Sequence, residues 1–172
     1  KKIFVRVKRE KIYEFVGNNL KRDYNLDMYY SQEEKILKGK HKGILYLLYS
    51  TAQKKYFKPN MRFKILMYSK EEKILSNAIA AFWCALNLGN FGSRCRKGLG
   101  SLVVTTVKGS TFDLDFIPKG KNSEELVNWI LKNVKIAASL INSGTRKCES
   151  YSNIISSPFI ISKENYTCWQ DA

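Results

Sequence analysis

The sequence predicts an α+β fold built on an antiparallel sheet. Ile3, Val5 and Val7 alternate with Phe4, Arg6 and Lys8, and Met61, Phe63, Ile65 and Met67 alternate with Arg62, Lys64 and Leu66. A period of two marks strands with one buried face. Leu75, Ala78, Ile79, Phe82 and Leu86 recur instead at helical spacing, with Trp83 widening the apolar face. Turn signals at Pro59-Asn60 and Gly109-Ser110 separate these segments.

Taken in order, the chain opens with strand 1–8, one side of it cationic. Residues 10–17 extend that strand or begin a loop. Residues 18–41 are polar and read as an excursion from the sheet, with Ser31-Gln32-Glu33-Glu34 resembling a helix start capped by Ser31. Gly43 to Tyr49 is a short apolar run that periodicity cannot assign to strand or helix. Strand 61–67 follows, with Met61, Phe63, Ile65 and Met67 inward. Ser69 is placed to cap helix 71–88, and Glu71 and Glu72 suit its first turn. Residues 101–107 and 111–117 read as strands, and Asp113 and Asp115 share one side of the second. Two strand carboxylates with no third ligand point to a solvent-facing side rather than a metal site. A second helix starts at Ser123, with Leu126, Trp129, Ile130, Val134, Ala137, Ala138 and Ile141 on its buried side, and Gly144 closes it. Phe159-Ile160-Ile161 reads as a further strand.

Between the first helix and strand 101–107 lies Leu88-Gly89-Asn90-Phe91-Gly92-Ser93-Arg94-Cys95-Arg96-Lys97-Gly98-Leu99-Gly100-Ser101. Four glycines and three cations share this loop. Glycine accepts positive φ and lets another backbone come close. Arg94, Arg96 and Lys97 set charge where that approach happens, and a run of phosphates is the natural partner. The loop is not a P-loop, because it follows a helix and lacks G-K-[ST]. Nor is it a dinucleotide fingerprint, which follows a strand and opens a helix. Lys54, Lys55 and Lys58 surround Tyr56 and Phe57. Cations interleaved with rings suit single-stranded nucleic acid, and core packing of both rings is the alternative.

Composition agrees with a polyanion as partner. The chain carries 30 Lys+Arg against 15 Asp+Glu, a net charge of +15. Residues 1–70 hold 18 basic and 6 acidic side chains, a surplus of 12, whereas residues 71–172 hold 12 and 9, a surplus of 3. A solvated, Lys-rich surface is the bland alternative. Cys84, Cys95, Cys148 and Cys168 form no C-x-x-C pair and have no zinc spacing, and Cys84 is expected as a buried thiol. No metal or cofactor is expected. Without a signal peptide or long apolar run, the chain is expected in the cytoplasm. It begins in a strand pattern without Met and ends in an unfinished one, as a piece of a longer polypeptide would.

The loop resembles the glycine-rich loop of the RAMP superfamily of CRISPR-associated proteins. The similarity is to the first-subunit family of type III-B Cmr effector complexes, whose loop reads roughly L-G-G-x-G-x-R-x-R-R-G-x-G-S. Asn90 stands for the second glycine and Lys97 for the last arginine, and Lys keeps the charge without the guanidinium fork. Gly43-Ile44-Leu45-Tyr46-Leu47-Leu48, Lys58-Pro59-Asn60-Met61-Arg62-Phe63-Lys64-Ile65 and Trp169-Gln170-Asp171-Ala172 look like the same family.

Strand 1–8, strand 61–67, helix 71–88 and strand 101–107 follow the order of the second half of a ferredoxin-like (RRM-like) unit. RAMP proteins are built from such units. The resemblance therefore implies a RAMP domain over 1–149 that lacks its first strand and helix, with insertion 18–41 and helical extension 123–143. Residues 150–172 would start a second ferredoxin-like unit. It also implies a non-catalytic subunit in antiviral defence, whose partners are CRISPR RNA, target RNA and other Cmr-type RAMP subunits. Base pairing would then supply sequence specificity and the protein a grip on the backbone. The RNA-binding residues implied are Gly89, Asn90, Gly92, Ser93, Arg94, Arg96, Lys97, Gly98, Gly100 and Ser101, with Lys54, Lys55 and Lys58 added from their own pattern.

An enzyme is the rival reading. Some RAMP relatives are metal-independent endoribonucleases that cleave CRISPR transcripts with a histidine. The chain has one, His41, between Lys40 and Lys42. A base near neutral pKa suits attack by a 2′-hydroxyl, but a lone His among lysines is more often solvated, and neighbouring cations lower its pKa.

Overall fold

The computed structural model describes residues 2–9, 16–18, 28–33, 36–39, 54–58, 60–89, 91, 92 and 100–141. The described residues form a mixed α+β structure. The strands are β1 (Ile3–Arg9), β2 (Val16–Gly17), β3 (Met28–Ser31), β4 (Ile36–Gly39), β5 (Tyr56–Phe57) and β6 (Phe63–Ser69). The helices are α1 (Glu72–Cys84), continued by a π-helical turn over Ala85–Gly89, and α2 (Ser123–Ile141). The chain divides into two compact units, Lys1–Val5 with Met67–Asn165, and Arg6–Leu66 with Tyr166–Ala172.

The strands pair two by two: β1 with β6, β2 with β5, and β3 with β4. The last two pairs are antiparallel. In β2–β5, Gly17 faces Tyr56. A Cβ at Gly17 would stand 2.0 Å from the Tyr56 ring, so the ring covers the bare backbone there. Ser31 is not a helix cap. It ends β3 opposite Ile36, and Gln32 and Glu33 form the hairpin turn. The excursion 18–41 thus contains a β-hairpin. The helix expectation failed because Ser followed by acidic residues also suits a turn, and no apolar helical stripe follows it. On β6, Ile65 and Met67 are half-buried as the alternation predicts, while Phe63 stays 36% exposed.

The core joins α1, α2 and the segment between them. Trp83, Ala80 and Leu86 of the first helical stretch are buried with Trp129, Val134 and Ala137 of α2 and with Leu114 and Phe116. The Trp83 and Trp129 rings meet at 5.7 Å, inclined by 52°, an arrangement that ring quadrupoles favour. The buried stripe of α1 runs through Ser76, Ala80 and Trp83, with Leu75, Ala78, Ile79 and Phe82 only half-buried beside it. The large indole of Trp83 sets the stripe, one position round from the aliphatic pattern.

Helix starts are held by side chains. The Glu71 backbone N–H donates to Ser69 Oγ at 3.2 Å, and Ser69 Oγ donates to the Lys2 carbonyl at 3.3 Å. Ser69 therefore ties the start of β1 to the start of α1, although Glu71 occupies the cap position itself. At α2, Asn122 Oδ1 accepts from the Glu125 N–H at 2.9 Å while Glu125 Oε2 accepts from the Lys121 N–H at 2.7 Å. This is a reciprocal box of the kind that satisfies orphan donors. Lys73 Nζ reaches the Leu140 carbonyl at 2.8 Å, placing a cation at the negative end of α2.

Two expected strands are not strands. Residues 101–107 alternate as expected, with Leu102 and Val104 against the core and Val103 81% exposed, but no described strand pairs with them. Residues 111–117 begin with a turn in which Phe112 and Asp113 have positive φ, 54° and 67°, and the Leu114 N–H returns to the Thr111 carbonyl at 3.2 Å. Beyond it, Leu114 and Phe116 are buried as the alternation predicts, but among the described residues no strand pairs with this segment. The Asp115 N–H donates to Asn133 Oδ1 at 2.7 Å, and its carbonyl accepts from Trp83 Nε1 at 2.8 Å. Two helix side chains take the bonds that a neighbouring strand would have made.

Candidate nucleic-acid interface

The glycine loop leaves a helix that does not end regularly. The π-helical turn Ala85–Gly89 shifts the backbone ladder, and Asn87 Nδ2 donates to the Trp83 carbonyl at 2.9 Å. Bulges of this type are frequent at functional sites. Phe91 then leans on Phe82 of α1, ring centroids 6.3 Å apart, and Phe82 leans in turn on Phe116 at 6.3 Å. The first foot of the loop is thus anchored to the core through aromatic contacts.

The second foot is bonded to the first. The Phe91 N–H donates to the Gly100 carbonyl at 3.2 Å. Gly100 has φ +83°, and a Cβ built on it would stand 1.6 Å from the Phe91 carbonyl oxygen. A side chain is excluded twice, by conformation and by space. Gly92 has φ +102° but open space around it. Gly89 closes the π-helical turn and is exposed. Ser101 is exposed directly after the second foot. Asn90, Ser93, Arg94, Arg96, Lys97 and Gly98 lie outside the described residues, as does His41. The structure therefore places the two feet of the loop, whereas Arg94, Arg96 and Lys97 are not among the described residues.

Lys54, Lys55 and Lys58 are exposed around β5. The two rings between them behave differently: Tyr56 lies over Gly17, whereas Phe57 is 62% exposed. One ring packs and the other remains open beside three cations.

Sequence reasoning did not pick out a second aromatic grouping. Phe4 and Tyr68 stack at 5.0 Å with their planes 8° apart, each about half exposed. The alternation of β1 already named Phe4, and the same parity on β6 singles out Tyr68.

Asp115 forms an ion pair with Lys119 at 2.9 Å. Among the described residues no group of three His, Cys, Asp or Glu is placed to hold a metal ion. Cys84 is half-buried against the core rather than fully buried, and desolvation raises its thiol pKa. No helix among the described residues is long and apolar enough to cross a membrane.

Two curated relatives are similar to the chain. One is the CRISPR system Cmr subunit Cmr1-1 of Pyrococcus furiosus, 24% identical over 96 residues, which is 54% of this chain. The other is the CRISPR system Cmr subunit Cmr1-2 of the same organism, 40% identical over 53 residues, or 31% of this chain. The matched region is 28% of the length of each relative. No family model matches the chain, and no solved structure matches it.

Proposed function

We propose that this chain, a Cmr1-like CRISPR-associated protein, is a non-catalytic RNA-binding subunit of a type III-B Cmr effector complex. Its glycine loop grips the backbone of CRISPR RNA or target RNA, and other Cmr-type subunits are its protein partners. The observation that carries the reading is the bonded pair of loop feet, Phe91 N–H to Gly100 carbonyl at 3.2 Å. That bond brings together the ends of a segment containing Arg94, Arg96 and Lys97. Positive-φ glycines at both ends, 102° at Gly92 and 83° at Gly100, suit a loop that presents backbone N–H groups to an anion. The surplus of 12 positive charges in residues 1–70 adds attraction that does not depend on sequence. The same reading takes β1, β6 and α1 as parts of a ferredoxin-like unit, supported by their order and by β1–β6 pairing.

Titration of the full chain with single-stranded RNA at several salt concentrations tests this. The observed association constant should fall log-linearly with salt, with a slope of roughly −0.7 for each phosphate engaged. A flat response contradicts it. His41→Ala should bind RNA like wild type, and neither protein should cleave a precursor transcript. Cleavage lost in His41→Ala would favour the nuclease instead.

A further inference from the structure

β1 and β6 carry chemically different sides. On one side of β1, Ile3, Val5 and Val7 are exposed and carry no charge, and on β6 Ile65 and Met67 are half-buried. The other side holds the Phe4–Tyr68 stack, centroids 5.0 Å apart and planes within 8°. These rings keep 45% and 50% of their surface exposed. Lys2, two residues before Phe4, shares its side and is exposed, with its backbone fixed by Ser69 Oγ at 3.3 Å. No carboxylate occurs at these positions.

An apolar protein partner would gain from the rings but would desolvate Lys2 without pairing it. A purely phosphate-binding surface would not need two stacked rings left half in water. A single-stranded polynucleotide satisfies both, since bases have π-faces and their linkers carry charge. We propose that the side of β1 and β6 bearing Phe4 and Tyr68 is a stacking platform for the bases of single-stranded RNA, with Lys2 on a flanking phosphate. The proposal rests on the RNA-binding reading above and adds a second site of different character. The glycine loop engages charge, whereas the platform engages rings.

That difference sets the test. The full chain is titrated with a short fluorescein-labelled oligouridylate across a range of salt, as wild type, Phe4→Ala, Tyr68→Ala, Phe4→Trp, Tyr68→Phe and Arg94→Ala/Arg96→Ala, each checked by thermal melt. Either alanine variant should weaken binding roughly 5- to 100-fold while leaving the salt slope unchanged. Phe4→Trp and Tyr68→Phe should bind nearly as wild type. A 5-iodouridine probe should photocrosslink to Phe4 or Tyr68 in the wild-type chain, which decides the matter even if an alanine variant fails to fold. Alanine variants that bind like wild type while the double Arg variant is weakened overturn the platform and leave the loop reading standing. Absence of RNA binding by the wild type overturns both. Unchanged RNA affinity with lost co-purification of Cmr subunits makes this side a protein interface and overturns the proposal.

Discussion

The Trp83 indole N–H donates to the Asp115 carbonyl at 2.8 Å, across 32 positions of sequence. The Asp115 N–H is held on its other side by Asn133 Oδ1 at 2.7 Å, and Asn133 Nδ2 donates to the Trp129 carbonyl at 2.8 Å. Asn133 is fully buried, 0% exposed. A single amide thus satisfies one backbone group of α2 and one of the segment after the loop. Burial at low dielectric makes such a network costly to break in part.

Asn133→Ala should therefore destabilise the chain by about 2–4 kcal/mol. It leaves the Asp115 N–H buried without a partner and opens a small void. Asn133→Asp should cost more at neutral pH, because a carboxylate would be buried facing the Trp129 carbonyl. Chemical denaturation of the two variants measures both. A change under about 0.5 kcal/mol for Asn133→Ala, the range of ordinary surface substitutions, would contradict the clamp.

Gly100 and Gly92 should respond differently to the same substitution. Gly100→Ala meets the Phe91 carbonyl oxygen at 1.6 Å and cannot be accommodated without moving a foot of the loop. Gly92→Ala meets nothing within 4 Å, so its cost is that of the conformation alone, about 1 kcal/mol. In RNA titrations Gly100→Ala should lose much of the affinity and Gly92→Ala little. Equal affinities would mean that the bonded feet do not shape the binding loop.

These contrasts show what was legible in the sequence. Periodicity found β1, β6, α1 and α2, because each repeats its apolar residues at its own spacing, although Ile3, Val5 and Val7 of β1 stay exposed rather than buried. It also found the inward side chains Leu114 and Phe116. What it missed was partnership. Alternation says which way a side chain points and nothing about what the backbone pairs with, so 111–117 looked like a strand. Asn133 escaped for the same reason: a polar residue on a helix reads as surface unless its partner is known. Tyr68 was hidden because a cross-strand stack depends on pairing with β1, which no local window contains. Within the loop, the glycine spacing was visible, but which glycine carries the positive φ was not.

Cys84 should titrate late. Burial penalises the thiolate and raises the pKa. The folded chain then keeps the proton at pH values where the unfolded chain has released it. The contribution of the neutral thiol to stability is intact below the unfolded pKa and falls as pH rises from there toward the raised folded pKa. Peptide-resolved alkylation with iodoacetamide should give Cys84 a half-reaction pH above the ordinary thiol value of about 8.5, returning to that value in denaturant. A lower midpoint in the folded chain would mean that a cation faces the sulfur.

The cations of the glycine loop should serve binding and not folding. Arg94, Arg96 and Lys97 fall within four consecutive positions. Burying three charges so close together without partners would cost far more than a loop can supply. They are accordingly expected to face water or a polyanion, and Arg94→Ala/Arg96→Ala should shift the melt by little, about 0.5 kcal/mol or less per substitution. The same variant should weaken RNA binding across sequences, and its salt slope should lose roughly 0.7 for each phosphate contact removed. Melt and titration must be run in parallel, because each outcome alone is ambiguous. A variant that melts like wild type, binds weakly and has a shallower salt slope identifies the two arginines as phosphate contacts. A variant that melts far lower, yet whose folded fraction binds RNA with the wild-type slope, assigns the cations to the fold and removes the loop from the interface.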